Sequence, residues 1–491
     1  MDRRLQTEFQ GPDFDALLEE SLPEQPPEEV IWEVTPWRRA MRRILIGTAL
    51  QTITFQLWGL SYLLPVLGQI LLLLGYRALR RENGWFRFSW AAVLLRSVVL
   101  ASVWCVHATI YSGCITAAPA FSVWLGLGRL LQLALFFALW GGLRAVGRKA
   151  GVQVRARSAL GLVALFALLG LLARLGYSGW KLALILLAVY GAILWNLRKI
   201  AGVLDEAGYC VTPCPVRLSD RALAGLLAGI MALLLAGGYL FAAQYPMDWS
   251  ARPSEASASQ EALQSRLLEL GFPADVLSDL SEEDLLACEE AVRVVTSAES
   301  CRVENAVDAP PVVQFTCVAV ELAGEPRRWR IIHHFQWLVE PGCHGTEALQ
   351  LLNPEQANVG WDCEADVSGQ LLCERDGVTY LAPYWSLEWD DYQIQSFLHG
   401  TVTIRPVLAA FSLPAWGEHP RGYLAYTVAE QWEDMVLRSQ FNYMHQASWL
   451  QYPVETALEY LRSEESVLHT PFQKFQHVFR FDPYKADKTA P

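Results

Sequence analysis

A chain of 491 residues that is 53% hydrophobic and only 18% charged is long enough for two or three domains. It is also too poor in charge for an ordinary soluble protein, of which about a quarter is charged. Its net charge of −12 sums two opposed halves: residues 34–243 hold four acidic residues against 21 Lys or Arg, and residues 244–491 hold 37 against 16. The acidic half excludes a nucleic-acid surface, which needs Lys and Arg against phosphate, and a domain lying flat on anionic lipid.

Residues 1–33 carry ten carboxylates and no apolar core. They read as a disordered cytoplasmic tail and not as a cleavable signal peptide. Apolar stretches follow near 44–75, 88–110, 120–142, 159–175, 182–197 and 222–243, in a polytopic membrane domain spanning 34–243. The loops between them alternate. Those at 76–87, 143–158 and 198–221 are basic, whereas 111–120 and 176–180 carry no charge. Because Lys and Arg accumulate on the cytoplasmic side, the basic loops face in and residues 244–491 fall outside.

The stretch "SYLLPVLGQILLLLGYRALRREN" (61–83) has "RRAMRR" (38–43) upstream and further arginines at its end. A single crossing would strand the first cluster outside. A hairpin of two short helices, roughly 44–58 and 62–76 and turning near Gly59 and Pro65, keeps both clusters inside. A re-entrant pair, or an interfacial helix followed by a span, is the alternative. The fold class is thus an α-helical multi-pass domain of about six or seven helices, followed by a soluble α+β domain of mainly antiparallel β.

Residues 244–258 read as a linker. The segment 259–297 reads as three small helices, "GFP" breaking the first and Ser281 opening the third through a Ser-x-x-Asp capping box. The outline resembles ubiquitin-associated domains, although an outside location makes ubiquitin an implausible partner. From about 311 the period becomes that of strands, and 298–491 is expected to be a β-rich extracytoplasmic domain. Trp329, Ile331, His333, Phe335 and Trp337 would share one face, with His334 on the other. Turns are expected at Ser368-Gly369 and Asp376-Gly377, and a helix at 453–465.

Six cysteines in an exported domain suggest disulfides. A three-residue loop at 367–369 would set Cys363 opposite Cys373, and that pair is the expected bridge. Arg96 and Arg129 fall halfway along their predicted helices with no carboxylate in the spans to pair with. Anionic ligands or lipid headgroups are the chemistry that would answer them. In "YWSLEWDDYQ", Trp385 and Trp389 lie beside Glu388, Asp390 and Asp391. That set suits a glycan or cationic peptide, and paired carboxylates also serve glycosidases. "CVTPC" at 210–214 lacks the further ligands of a zinc site. "WDCEAD" lacks the glycine of a calcium loop. No nucleotide, dinucleotide, serine-hydrolase or zinc-protease fingerprint occurs, so neither a cofactor nor a catalytic residue is expected.

"LLPVLGQILLLLGYRALRREN", "LLELGFPADVLSDLSEEDLLACEEA" and "HHFQWLVEPGCHGTEALQL" resemble blocks of uncharacterised bacterial multi-pass membrane proteins with an exported C-terminal domain. The resemblance supports the class and brings no site residues. The expected partners are the lipid bilayer and an envelope protein, peptide or glycan. The leading expectation is a membrane-anchored binding or sensing domain outside the bacterial cytoplasmic membrane. The alternative is a transporter or lipid-handling protein using Arg96 and Arg129, and an envelope hydrolase using Glu388, Asp390 or Asp391 ranks last.

Overall fold

The computed structural model describes residues 36–52, 60–177, 179–209, 211, 218–253, 258–303, 310–352, 360–364, 366–390, 392–396, 400–449, 451–463 and 471–485. The acidic tail, Gly59, "CVTPC" from Cys210 through Cys214 (all but Val211) and Asp391 lie outside the described residues. The chain forms two compact units. One comprises the helices up to Leu235, and the other comprises Val106–Gly113 together with Ala236–Pro491.

The helices of the N-terminal half are α1 (Pro36–Thr52), α2 (Leu60–Leu79), α3 (Gly84–His107), α4 (Ser112–Ala117), α5 (Pro119–Lys149), α6 (Arg157–Arg174), α7 (Trp180–Glu206) and α8 (Asp220–Ala242). Among them, α2, α3, α5, α6, α7 and α8 are long and apolar enough to cross a membrane. The first apolar stretch is therefore two helices. They pack antiparallel through small residues: a Cβ on Gly47 would meet Gly68 O at 2.7 Å, and one on Gly75 would meet Ala40 O at 3.0 Å. Such backbone-close crossings are how membrane helices gain dispersion contact without a hydrophobic drive. Pro65, expected near the turn, lies inside α2.

The far side of α1 runs along α7. Trp37 Nε1 donates to Ala201 O (3.2 Å) and Tyr190 Oη to Thr48 O (2.8 Å), fixing an antiparallel register. Helix α1 is thus packed lengthwise on two neighbours, α2 and α7. Basic helix ends gather at one end of this unit. Asp220 pairs with Arg43 (2.7 Å) and Arg77 (3.7 Å), and buried Glu82 pairs with Lys149 (3.6 Å) and accepts from Tyr209.

In the second unit, β1 (Ser250–Ala251) precedes α9 (Ala258–Glu269), α10 (Ala274–Asp279) and α11 (Glu282–Leu286). The strands are β2 (Ala291–Cys301), β3 (Val313–Leu322), β4 (Arg328–Trp337), β5 (Glu347–Leu352), β6 (Trp361–Cys363), β7 (Ser368–Arg375), β8 (Val378–Ala382), β9 (Ser386–Trp389), β10 (Tyr392–Ser396), β11 (Gly400–Ile404), β12 (Val407–Phe411), β13 (Glu418–Glu430) and β14 (Leu437–Gln446). Helix α12 (Ala457–Ser463) and β15 (Phe472–Phe481) complete the chain. All pairings are antiparallel. One sheet has the order β1-β8-β7-β13-β4-β3-β2, with β6 also on β13. A second has the order β15-β14-β5-β12-β9, and β10 and β11 form a separate ribbon.

The two large sheets share a core. Trp329, Ile331, Phe335 and Trp337 of β4 point into it as their alternation predicts, against Leu349, Phe411, Phe441, Tyr443 and Phe475. The outer face of the first sheet is covered by α9–α11 through Leu267, Val276, Leu277 and Leu285 on Val318, Val320 and Ile332. The outer face of the second is covered by α12 through Leu458 and Leu461 on Leu408 and Met444. The result is a four-layer α/β/β/α sandwich.

Two expectations are corrected. The helical segment stops at Leu286, and "AVRVV" opens β2, where β-branched Val292, Val294, Val295 and Thr296 favour the strand. The turn at 367–369 is not a hairpin. Gly369 stays within β7 at φ +156°, where a Cβ would strike Tyr423 O. β6 and β7 instead follow one another along β13, with Cys363 opposite Val428 and Leu372 opposite Arg421. Cys363 and Cys373 are thereby separated by roughly 25 Å of strand, far beyond disulfide reach. The eight cysteines among the described residues form no disulfide. The hairpin forms at the other expected turn, where Asp376 (φ 52°) and Gly377 (φ 76°) join Arg375 to Val378.

Candidate functional site

Within the helical unit the polar side chains of α1 are answered one by one. Arg96 of α3 donates to Gln51 Oε1, Gln51 Nε2 donates to Gln69 Oε1, and Gln69 Nε2 donates to Val93 O (2.8 Å) and Ser97 Oγ (2.9 Å). Tyr190 Oη adds a contact with Thr52 Oγ1 at 3.0 Å. The relay runs in one direction from an arginine that lies about 17 Å along α3 from either end. Arg96 has five N–H donors and commits one of them to a side chain among the described residues. Arg129 takes no part. Its side chain is exposed on α5, so the two arginines do not share one polar centre.

The second unit contains a buried charged seam between α10–α11 and the first sheet. Ser281 caps α11 as its motif predicts, accepting from Asp284 N at 3.1 Å. Asp284 turns its carboxylate inward. It accepts from Arg330 Nη2 (2.7 Å), Tyr423 Oη (2.5 Å), Ser281 Oγ (2.7 Å) and Ser368 Oγ. Arg330 also reaches Asp366 (2.5 Å) and Thr427 (3.1 Å). Five residues earlier, at the end of α10, Asp279 holds His334 Nε2 (2.9 Å) and Arg421 Nε (2.9 Å), and Arg421 continues to Glu374 (2.9 Å). Burial alone would raise both aspartates. For Asp279 the bond and charge of His334 and then those of Arg421 outweigh it; for Asp284 hydrogen bonds from Ser368, Tyr423 and Ser281 and the charge of Arg330 do so. Both carboxyls are held below the usual range.

His333, on the opposite face of β4, donates or accepts at Ser439 Oγ (2.7 Å) and lies between Tyr426 and Phe441. Burial, then neighbouring His477, pushes its pKa down to about 3, so it stays neutral in the sandwich core. The two adjacent histidines therefore serve different layers and share no ligand.

The aromatic-acidic stretch lies on β9, the edge of the second sheet. Trp385 is half exposed and stacks on Tyr245 with centroids 5.9 Å apart. Trp389 carries Arg405 over its ring. Glu388 (3.5 Å) and Asp390 (2.6 Å) both bind Arg462 of α12, so these two carboxylates share one counter-ion. Burial pushes the Cys373 thiol up to about 12.

No family model matches the chain, and no curated protein matches it. Sequence reading missed the seam. Its one signal was "RWRIIHH", where a charged Arg330 interrupts an otherwise buried strand on the same face as Ile332 and His334.

Proposed function

We propose that the protein is a bacterial cytoplasmic-membrane protein whose helices anchor an acidic binding or sensing domain outside the cytoplasm. The observation that carries this reading is how the helix ends divide. Ends bearing the basic loops gather around Asp220 and Glu82. The opposite ends of α3 and α8, within Val106–Gly113 and Ala236–Ala242, belong to the same compact unit as the sandwich and contain no Lys or Arg. With the basic ends retained in the cytoplasm, the sandwich lies outside. Its ligand, a cationic peptide, glycan or envelope protein, would meet the β9 edge at Trp385, Trp389, Glu388 and Asp390. A strand edge offers unpaired backbone groups there, with aromatic rings beside acid.

In intact cells a membrane-impermeant maleimide should label D376C at the exposed β7–β8 turn and spare G151C until the membrane is opened. Labelling in the reverse order overturns the orientation. The alternative, a transporter or lipid-handling protein for an anionic substrate, draws its support from Arg96, whose charge lies mid-helix beside a neutral amide.

A further inference from the structure

We infer that the sandwich rests in the lipid headgroup layer through the loop after β14, with Trp449 as its anchor. This rests on the membrane reading of α3 and α8 but not on which side the domain occupies. The loop is tied to the end of α3, and the segment after α3 is tied to the end of α8. Val454 N donates to His107 O, the last residue of α3, at 2.8 Å, and Ser112 Oγ donates to Val454 O at 3.3 Å. Ile110 N donates to Ala242 O, the last residue of α8, at 2.9 Å, which joins that helix end to the segment after α3. In the last turn of α8, Leu240 and Phe241 are 77% and 87% exposed, which suits acyl chains and not water. Trp449, in the same loop as Val454, is 73% exposed.

Charge singles out the same place. The three segments joined here, 106–113, 236–247 and 439–454, contain no Asp, Glu, Lys or Arg, inside a unit otherwise dense in carboxylates. These three segments are uncharged, with Glu459 of α12 at their margin beside Gly113. An exposed indole on them suits the interface, where the ring is half in hydrocarbon and its N–H meets headgroup or water. A second exposed tryptophan supplies the contrast. Trp432, 58% exposed, precedes β14, and Trp449 follows it, so the two lie about 30 Å apart at opposite ends of one strand. Trp432 sits among Glu430, Glu433 and Asp434, the setting of a water-facing loop.

The test uses the full chain in phosphatidylcholine vesicles, with and without lipid brominated near the headgroup end of its acyl chains. The emission lost on Trp449→Phe isolates that indole, and Trp432→Phe isolates the control. Brominated lipid should quench the Trp449 contribution at least twofold and leave the Trp432 contribution unchanged. Equal quenching of the two, or none at Trp449, overturns the inference, the latter leaving the loop free for a protein partner. Should Trp449→Phe fold poorly, a nitroxide on W449C gives the second reading, with oxygen collisions exceeding those of an aqueous nickel complex. The readout is blind to inside and outside, so it can fail while the maleimide test succeeds, and the reverse.

Discussion

Asp284→Ala tests whether the charged seam fastens the α9–α11 layer to the sheet. The substitution deletes a buried acceptor of four side chains and leaves Arg330, 3% exposed, with Asp366 as its remaining counter-charge. Breaking a buried pair by removing one partner costs about 3–5 kcal/mol. For a unit of this size each kcal/mol shifts the midpoint by about 2–4 °C, so thermal unfolding of the purified protein should fall by roughly 6–20 °C. Asp390→Ala is the comparison: its pair with Arg462 is partly exposed and should cost under about 1 kcal/mol. The same network sets the pH response. Asp279 and Asp284 are held below the usual carboxylate range, so their stabilisation is complete above that range and is lost as pH falls through it, below about 4. Asp284→Ala should flatten that acid limb. A midpoint within about 2 °C of the parent, or an unchanged acid limb, would refute the reasoning.

Gly68→Leu should separate α1 from α2, because even a Cβ there meets Gly47 O at 2.7 Å; the expected result is loss of monodisperse protein on size exclusion, with Gly84→Leu, which faces open space, unaffected. Alkylation under denaturing, non-reducing conditions should leave Cys363 and Cys373 both modified, as peptide mass spectrometry would read directly. Arg96→Leu removes a charge whose insertion costs at least about 2.5–3.5 kcal/mol and breaks one relay bond of about 1–2 kcal/mol. It should therefore unfold in detergent no earlier than the parent, and a clear fall in stability would mean that the arginine does more than close the relay.

What was legible in the sequence was what period and charge encode. The six spans follow from apolar length, the hairpin from arginines on both flanks, and the inward face of β4 from strict alternation through Trp329 and Trp337. The Ser281 cap and the Asp376-Gly377 turn were readable because each is set by local chemistry within four residues. The failures were long-range. Ser368-Gly369 has a turn composition, but the glycine is required by the close passage of Tyr423 O from a strand more than fifty residues away. The seam was hidden for the same reason. Asp279 and Asp284 resemble a solvated helix face until Arg421 and Arg330 are brought beneath them by β13 and β4. "AVRVV" reads as the end of a helix from its local sequence, and its pairing with β3 makes it a strand.

Helix α1 shows how the two kinds of information meet. Alone it is a poor span: seventeen residues with four arginines in its first half and Thr48, Gln51 and Thr52 in its second. An unpaired polar group in hydrocarbon costs several kcal/mol, so α1 is stable at depth only where its amides and hydroxyls find partners. Those partners are Gln69 on α2, Arg96 on α3 and Tyr190 on α7, three helices that enter the chain later. Within the bundle the N-terminal helix is held by glycine contacts on one side and tyrosine on the other. Its arginines stay at the end where Asp220 waits. Polarity that would exclude α1 from hydrocarbon by itself thus fixes its direction within the bundle.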